Sequence, residues 1–145
     1  MAILNEQIHD TRLIPLDGRP HVGPLVRQWM GDSRGRWEGK TLIVETTNFN
    51  GRHEQVARPL VSGSEHLSLV ERFTRVDADT LLYEYTVTDP TIWVKPWTAQ
   101  FPMKKNPDKM YEYACHEGNY SMNIRLAGAR AMEKTAAEAA KKGSK

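Results

Sequence analysis

Three side chains able to bind a metal or share a proton, Cys115, His116 and Glu117, stand in a row within YEYACHEGNYS, residues 111 to 121. A thiolate beside an imidazole would be either a nucleophile with its base or two soft ligands for a metal. The aromatic run before them reads as a strand, in which neighbouring side chains point to opposite faces. Alternation therefore places Met110, Glu112, Ala114 and His116 on one face, and Tyr111, Tyr113 and Cys115 on the other. Cys115, the only cysteine, reads as a small buried hydrophobe. His116 shares its face with Glu112, a carboxylate able to orient an imidazole for acid–base work, although a solvated strand face would carry the same pair.

Carboxylates inside strands are the second class with chemical potential: Glu45, Glu71, Glu84 and Glu112, accompanied by Arg72 and Lys95. On an open sheet they form a wet face with cross-strand ion pairs; in a barrel the same side chains would line a lumen. On the barrel reading, Glu71 and Glu84 join His116 and Glu112 as acid–base candidates. Trp37, Trp93, Trp97, Tyr83 and Tyr85 would form aromatic walls for a ligand, against the alternative that they are core. Arg34 and Arg36, in GDSRGRWEG, could clamp an anionic group, or simply decorate a charged hairpin tip. His9, His21, His53 and His66 form no HxxxH or HxH pattern, so neither a metal nor another cofactor is expected. GxSxG, Walker and Rossmann sequences are missing as well, which disfavours the enzyme classes they define.

The elements that must position these residues are short strands separated by turns. TRLIPL (11 to 16) precedes the turn pair Asp17-Gly18, and Pro20 and Pro24 argue against a central strand there. The clearest hairpin joins strands near 33 to 37 and 40 to 48 through Glu38-Gly39, with KTLIVETT supplying β-branched residues. Residues 49 to 66 read as a long loop. A second hairpin joins LSLVERFTRV to TLLYEYTVT through Asp77, Ala78 and Asp79, with Leu81, Tyr83, Tyr85 and Val87 on one face and Leu82, Glu84, Thr86 and Thr88 on the other. TIWVKPWTAQF supplies a further strand, its Pro96 suggesting an edge or a bulge. MYEYACH supplies the last, and Gly118 turns the chain. From Met122 to about Lys142 the period becomes helical, with Met122, Leu126, Ala129, Met132 and Ala136 on one stripe.

This pattern predicts a mainly β fold: an antiparallel meander forming a curved sheet or a small calycin-like β-barrel, with one C-terminal helix. Residues 1 to 136 are read as a single domain and 137 to 145 as a charged Ala/Lys-rich tail. The length, 145 residues, suffices for one core without staples. The net charge of +2 arises from 20 basic and 18 acidic side chains interspersed along the chain, so no strong field favours nucleic acid. No apolar run is long enough for a membrane span, and the first residues lack a signal peptide.

The stretches IHDTRLIPLDGRPH, WMGDSRGRWEGKTLIVETTNF, LVERFTRVDADTLLYEYTVTDP, PWTAQFPM and YEYACHEGNYSM resemble the C-terminal part of a family of exported bacterial hypothetical proteins from acidobacteria and proteobacteria. The likeness runs from about residue 8 to 133. It implies a periplasmic or extracellular location and no particular activity.

Two functions are compatible with these residues. One is a domain that binds a small organic ligand, with cofactor-free lyase, isomerase or hydrolase chemistry available to the His and Glu candidates. The other is a non-catalytic module that pairs with another chain, including a second copy of itself, through strand edges and the C-terminal helix.

Overall fold

The computed structural model describes residues 1–6, 11–52, 63–111 and 117–143. They fall into two compact units, Met1–Tyr111 and Glu112–Lys145. The first is all β. Its strands are β1 (Ala2–Leu4), β2 (Thr11–Leu13), β3 (Asp32–Glu38), β4 (Thr41–Thr47), β5 (Ser68–Arg75), β6 (Thr80–Thr88) and β7 (Trp97–Lys104). β1 and β2 make a two-stranded antiparallel sheet, and β3 to β7 a five-stranded antiparallel meander in chain order. Within the second unit lies α1 (Ser121–Gly143), close to the helix expected from periodicity. It follows Gly118, whose φ of 75° lies in the region glycine enters cheaply. No described helix is long and apolar enough to cross a membrane.

The curved antiparallel sheet is as the alternation predicts, but the calycin-like barrel is not formed. β3 and β7 end the strand order and are not paired with each other, so the described strands enclose no lumen for side chains to line. Small closed barrels use about eight strands. Here β1 and β2 form their own sheet instead of extending the five.

The hairpin turns follow local chemistry. Glu38 pairs with Thr41, so Gly39 and Lys40 form the two-residue loop, one position later than the Glu38-Gly39 expected. Gly39 has φ 59° and Lys40 is not left-handed, as a turn with glycine at its first central position requires. Between β5 and β6, Asp77 accepts the Asp79 amide at 2.8 Å and closes the Asp-Ala-Asp turn. β7 starts at Trp97, later than the TIWVKPWTAQF reading, and carries Pro102 inside it. An edge strand tolerates this proline because one side of its backbone needs no ladder partner.

Register assigns each strand residue to a face. Trp37, Leu42, Phe73, Tyr83 and Phe101 lie in one cross-strand row, and Gly35, Val44, Glu71, Tyr85 and Ala99 in the next on that face. This face holds the core. Ile14, Leu42 and Val44 are buried together, with Ile3 and Phe73 packed on them. Phe49, Leu67 and Val87 form a second cluster, flanked by Leu69, Tyr85, Trp93 and Trp97. Aromatic contacts join the two ends: Phe73 stacks on Tyr83 at 4.8 Å, Tyr83 meets Phe101 edge-on at 5.2 Å, and Tyr85 meets Trp97 at 5.6 Å.

The opposite face is charged. Arg36 pairs with Glu45 and Glu38, Arg72 lies 3.8 Å from Glu84 and 3.9 Å from Glu38, and Gln100 donates to Glu84 at 3.1 Å. Ile43 also lies on that face, yet is only 1% exposed between its cross-strand neighbours Arg36 and Arg72.

The segment before β3 is tied to the sheet through its polar groups. Gly35 N donates to Pro15 O at 2.9 Å along the outer edge of β3. Asn48, with φ 59°, gives its side-chain amide to the carbonyls of Val22, Gly23 and Val26.

Candidate functional site

Of the acid–base candidates, Glu112 and His116 lie outside the described residues, as does Cys115. Glu71 and Glu84 are on opposite faces of the sheet and cannot act together. Glu84 belongs to the charged face, with Arg72 and Gln100.

Glu71 is 3% exposed on the core face. Both of its oxygens are occupied by Arg12, whose guanidinium nitrogens donate at 2.6 and 3.0 Å, and the Tyr83 hydroxyl donates to Oε1 at 2.7 Å. Burial first, and then the neighbouring Glu71 charge and hydrogen bond, push the Tyr83 phenol above its ordinary value. A carboxylate held in a fork by a guanidinium and capped by a phenol is a closed network. Its chemistry is to join β2 to the middle of the sheet.

A second polar cluster joins His21 to Asp32 and Arg34. Asp32, 6% exposed at the start of β3, accepts the His21 ring N–H from Nδ1 at 2.8 Å and the Val22 amide at 3.1 Å. Its other oxygen accepts Arg34 at 2.7 Å, while Arg34 also donates to the carbonyls of Pro20 and Ser33. Burial alone would raise the Asp32 carboxyl, but the hydrogen bonds from His21 and Val22, and the Arg34 charge, outweigh it and hold the group below its ordinary range. Arg34 is thus engaged within the protein, and Arg36 is engaged with Glu45 and Glu38. Asp89 is a third buried acid, accepting the Ser64 amide at 2.6 Å and the Thr91 hydroxyl at 2.6 Å.

Among the aromatic candidates, Tyr83 and Tyr85 are half-buried in the ring ladder, and Trp93 packs against Trp97 at 5.7 Å beside the second core cluster. The Trp97 indole N–H is buried with no hydrogen-bond partner among the described residues. Trp37 differs from all of these. It is 56% exposed at the end of β3, on the core face but beyond the covered part of it.

Around Trp37 the core face opens into a groove of about 400 Å³, bounded by Met1, Ile3, Leu42, Phe73, Leu81 and Met103, with Lys40 and Arg75 at its rim. The groove lies beside Met1–Ile3, where the N-terminal residues cover Leu42 but leave Trp37 and Met103 exposed at the hairpin end of the face. Its walls come from six separate elements, so no contiguous motif marks it. Alternation does place Trp37, Leu81 and Met103 on one face, but which of them become neighbours depends on the pairing register. Among the described residues no group of three His, Cys, Asp or Glu side chains is disposed to hold a metal ion. Comparison of the chain with protein-family models, curated proteins and solved structures finds no match.

Proposed function

We propose that this domain binds a small organic ligand in the groove at the hairpin end of its core face, and that its part is binding, not catalysis. One observation carries the reading: an uncovered, aromatic and aliphatic concavity of about 400 Å³ beside a face otherwise packed as core. That volume falls in the range of small-molecule sites, which are mostly apolar with a few polar groups at one end. Acid–base chemistry receives less support, because Glu71 has both oxygens engaged by Arg12 and Tyr83, and Glu84 sits in a solvated ion-pair ladder.

The assembly reading has less to rest on at the sheet edges. The N-terminal segment occupies part of the β3 edge through Pro15 O, and β7 carries Pro102 and Lys104, residues that blunt an edge against pairing.

The test is an amide-resolved NMR titration with 1-octanol as an uncharged apolar probe. Saturable shifts centred on Trp37, Leu42, Phe73, Leu81 and Met103 are expected, and Leu81→Asp should abolish them while the dispersion of the other resonances is kept. Failure of these residues to shift, or shifts on the charged face instead, would sink the proposal.

A further inference from the structure

The rim of the groove has one sign of charge. Lys40 and Arg75 stand at its mouth, and no carboxylate is among the residues that line it. Lys40 makes no ion pair among the described residues. Arg75 donates its Nε–H to the Asp77 carbonyl at 3.2 Å, leaving the two terminal nitrogens of its fork without a carboxylate partner among the described residues. This contrasts with the ladder on the opposite face, where Arg36 and Arg72 are each matched by glutamates. Two adjoining depressions share some of these residues: one joins Arg75, Leu81 and Met103 to Lys104, Lys105, Asp77 and Asp79, and the other sets Trp37, Lys40 and Arg75 beside Asp77, whose carboxylate accepts the Asp79 amide in the β5–β6 turn.

Resting on the binding reading above, we infer that the ligand is a single-chain organic carboxylate, its hydrocarbon part along Trp37, Phe73, Leu81 and Met103 and its anionic end between Lys40 and Arg75. Each half of the molecule answers a feature of the site. The apolar walls remove chain methylenes from water. The guanidinium offers two parallel N–H donors suited to a carboxylate, and the ammonium adds a point charge. A cationic or zwitterionic head would meet two positive charges with no counter-charge in the lining. Both cations are exposed, so the preference is modest, roughly three- to ten-fold over an uncharged head of equal chain length.

The experiment compares octanoate, 1-octanol and octylammonium by NMR titration and calorimetry on the full chain, followed by the Lys40→Gln/Arg75→Gln variant. Octanoate should bind three- to ten-fold more tightly than octanol at low salt, octylammonium more weakly than either, and the double variant should bind octanoate no more tightly than it binds octanol. Lys40→Glu alone should also remove the preference for octanoate over octanol, which guards against a defect specific to the loss of Arg75. Equal affinity of octanoate and octanol would overturn the carboxylate assignment and leave the groove reading standing. Binding of neither probe would overturn the groove reading itself. Association with vesicles of anionic phospholipid but not with monomeric octanoate would overturn the assignment in favour of a membrane surface.

Discussion

Arg12 and Glu71 lie 59 positions apart and meet in a two-pronged ion pair, Nη1 to Oε2 at 2.6 Å and Nη2 to Oε1 at 3.0 Å. The side chains are 12% and 4% exposed, so the pair is sequestered from solvent on the core face. A pair in this setting is a weak source of net stability and a strong penalty when broken, because removing either partner strands a buried charge. It also fixes where the β1–β2 sheet sits on the five-stranded one.

Arg12→Met should therefore destabilise the domain by about 3–5 kcal/mol, and the double change Arg12→Met/Glu71→Met by much less than the sum of the single changes. Urea unfolding of the four proteins in a double-mutant cycle measures the coupling. Additive losses would mean that the two side chains do not depend on each other for burial.

Asp32 makes stability depend on pH in a defined direction. Its folded-state pKa lies below the ordinary 3.8, despite burial, because His21, the Val22 amide and Arg34 stabilise the carboxylate. The unfolded chain thus takes up the proton first as pH falls. The stabilisation is complete above about pH 4 and is lost as pH drops through the folded-state value. Asp89 acts in the same sense: burial raises its pKa, but the hydrogen bonds from Thr91 and Ser64 outweigh this and lower it. Asp32→Asn should be less stable than wild type at pH 7 and should lose less on going from pH 5 to 2.5. Parallel stability–pH curves for the two proteins would remove Asp32 from the acid-sensitive set.

Much of the β architecture can be read locally, because strand alternation and turn residues are short-range signals. β6 was legible to the residue, and the split of Leu81, Tyr83, Tyr85 and Val87 from Leu82, Glu84, Thr86 and Thr88 is the one observed. β1 was not legible: three residues carry no periodicity, and what holds them is pairing with β2. Ile43 shows the limit of binary patterning. It faces the charged side and is still buried, because flanking arginines with long aliphatic stems can cover an apolar neighbour. The site was harder still. Arg12, Asp32 and Arg75 look like ordinary surface charges in the sequence, and only tertiary register decides that the first two are buried and the third stands at the mouth of a groove.

Gly35 and Gly39 offer a test of how the N-terminal segment is seated, and with it one wall of the groove. A Cβ on Gly35 would lie 2.6 Å from Leu16 Cδ2 and 2.7 Å from Ile14 Cγ2, distances that force the 14–16 segment away from β3. Gly39 has open space around it and only its left-handed backbone to satisfy. Gly39→Ala should therefore cost about 1 kcal/mol, from backbone conformation alone. Gly35→Ala should cost about 1–3 kcal/mol, because it overpacks the seat of Ile14, a residue 1% exposed. The two variants should also separate in the 1-octanol titration. Gly35→Ala displaces the 14–16 segment, to which Met1 of the groove wall is hydrogen-bonded through Ile14, and weakens binding, whereas Gly39→Ala leaves the groove walls in place. If Gly35→Ala matches Gly39→Ala in both unfolding midpoint and probe affinity, the 14–16 segment does not hold that wall, and the groove must be supported by the five-stranded sheet alone.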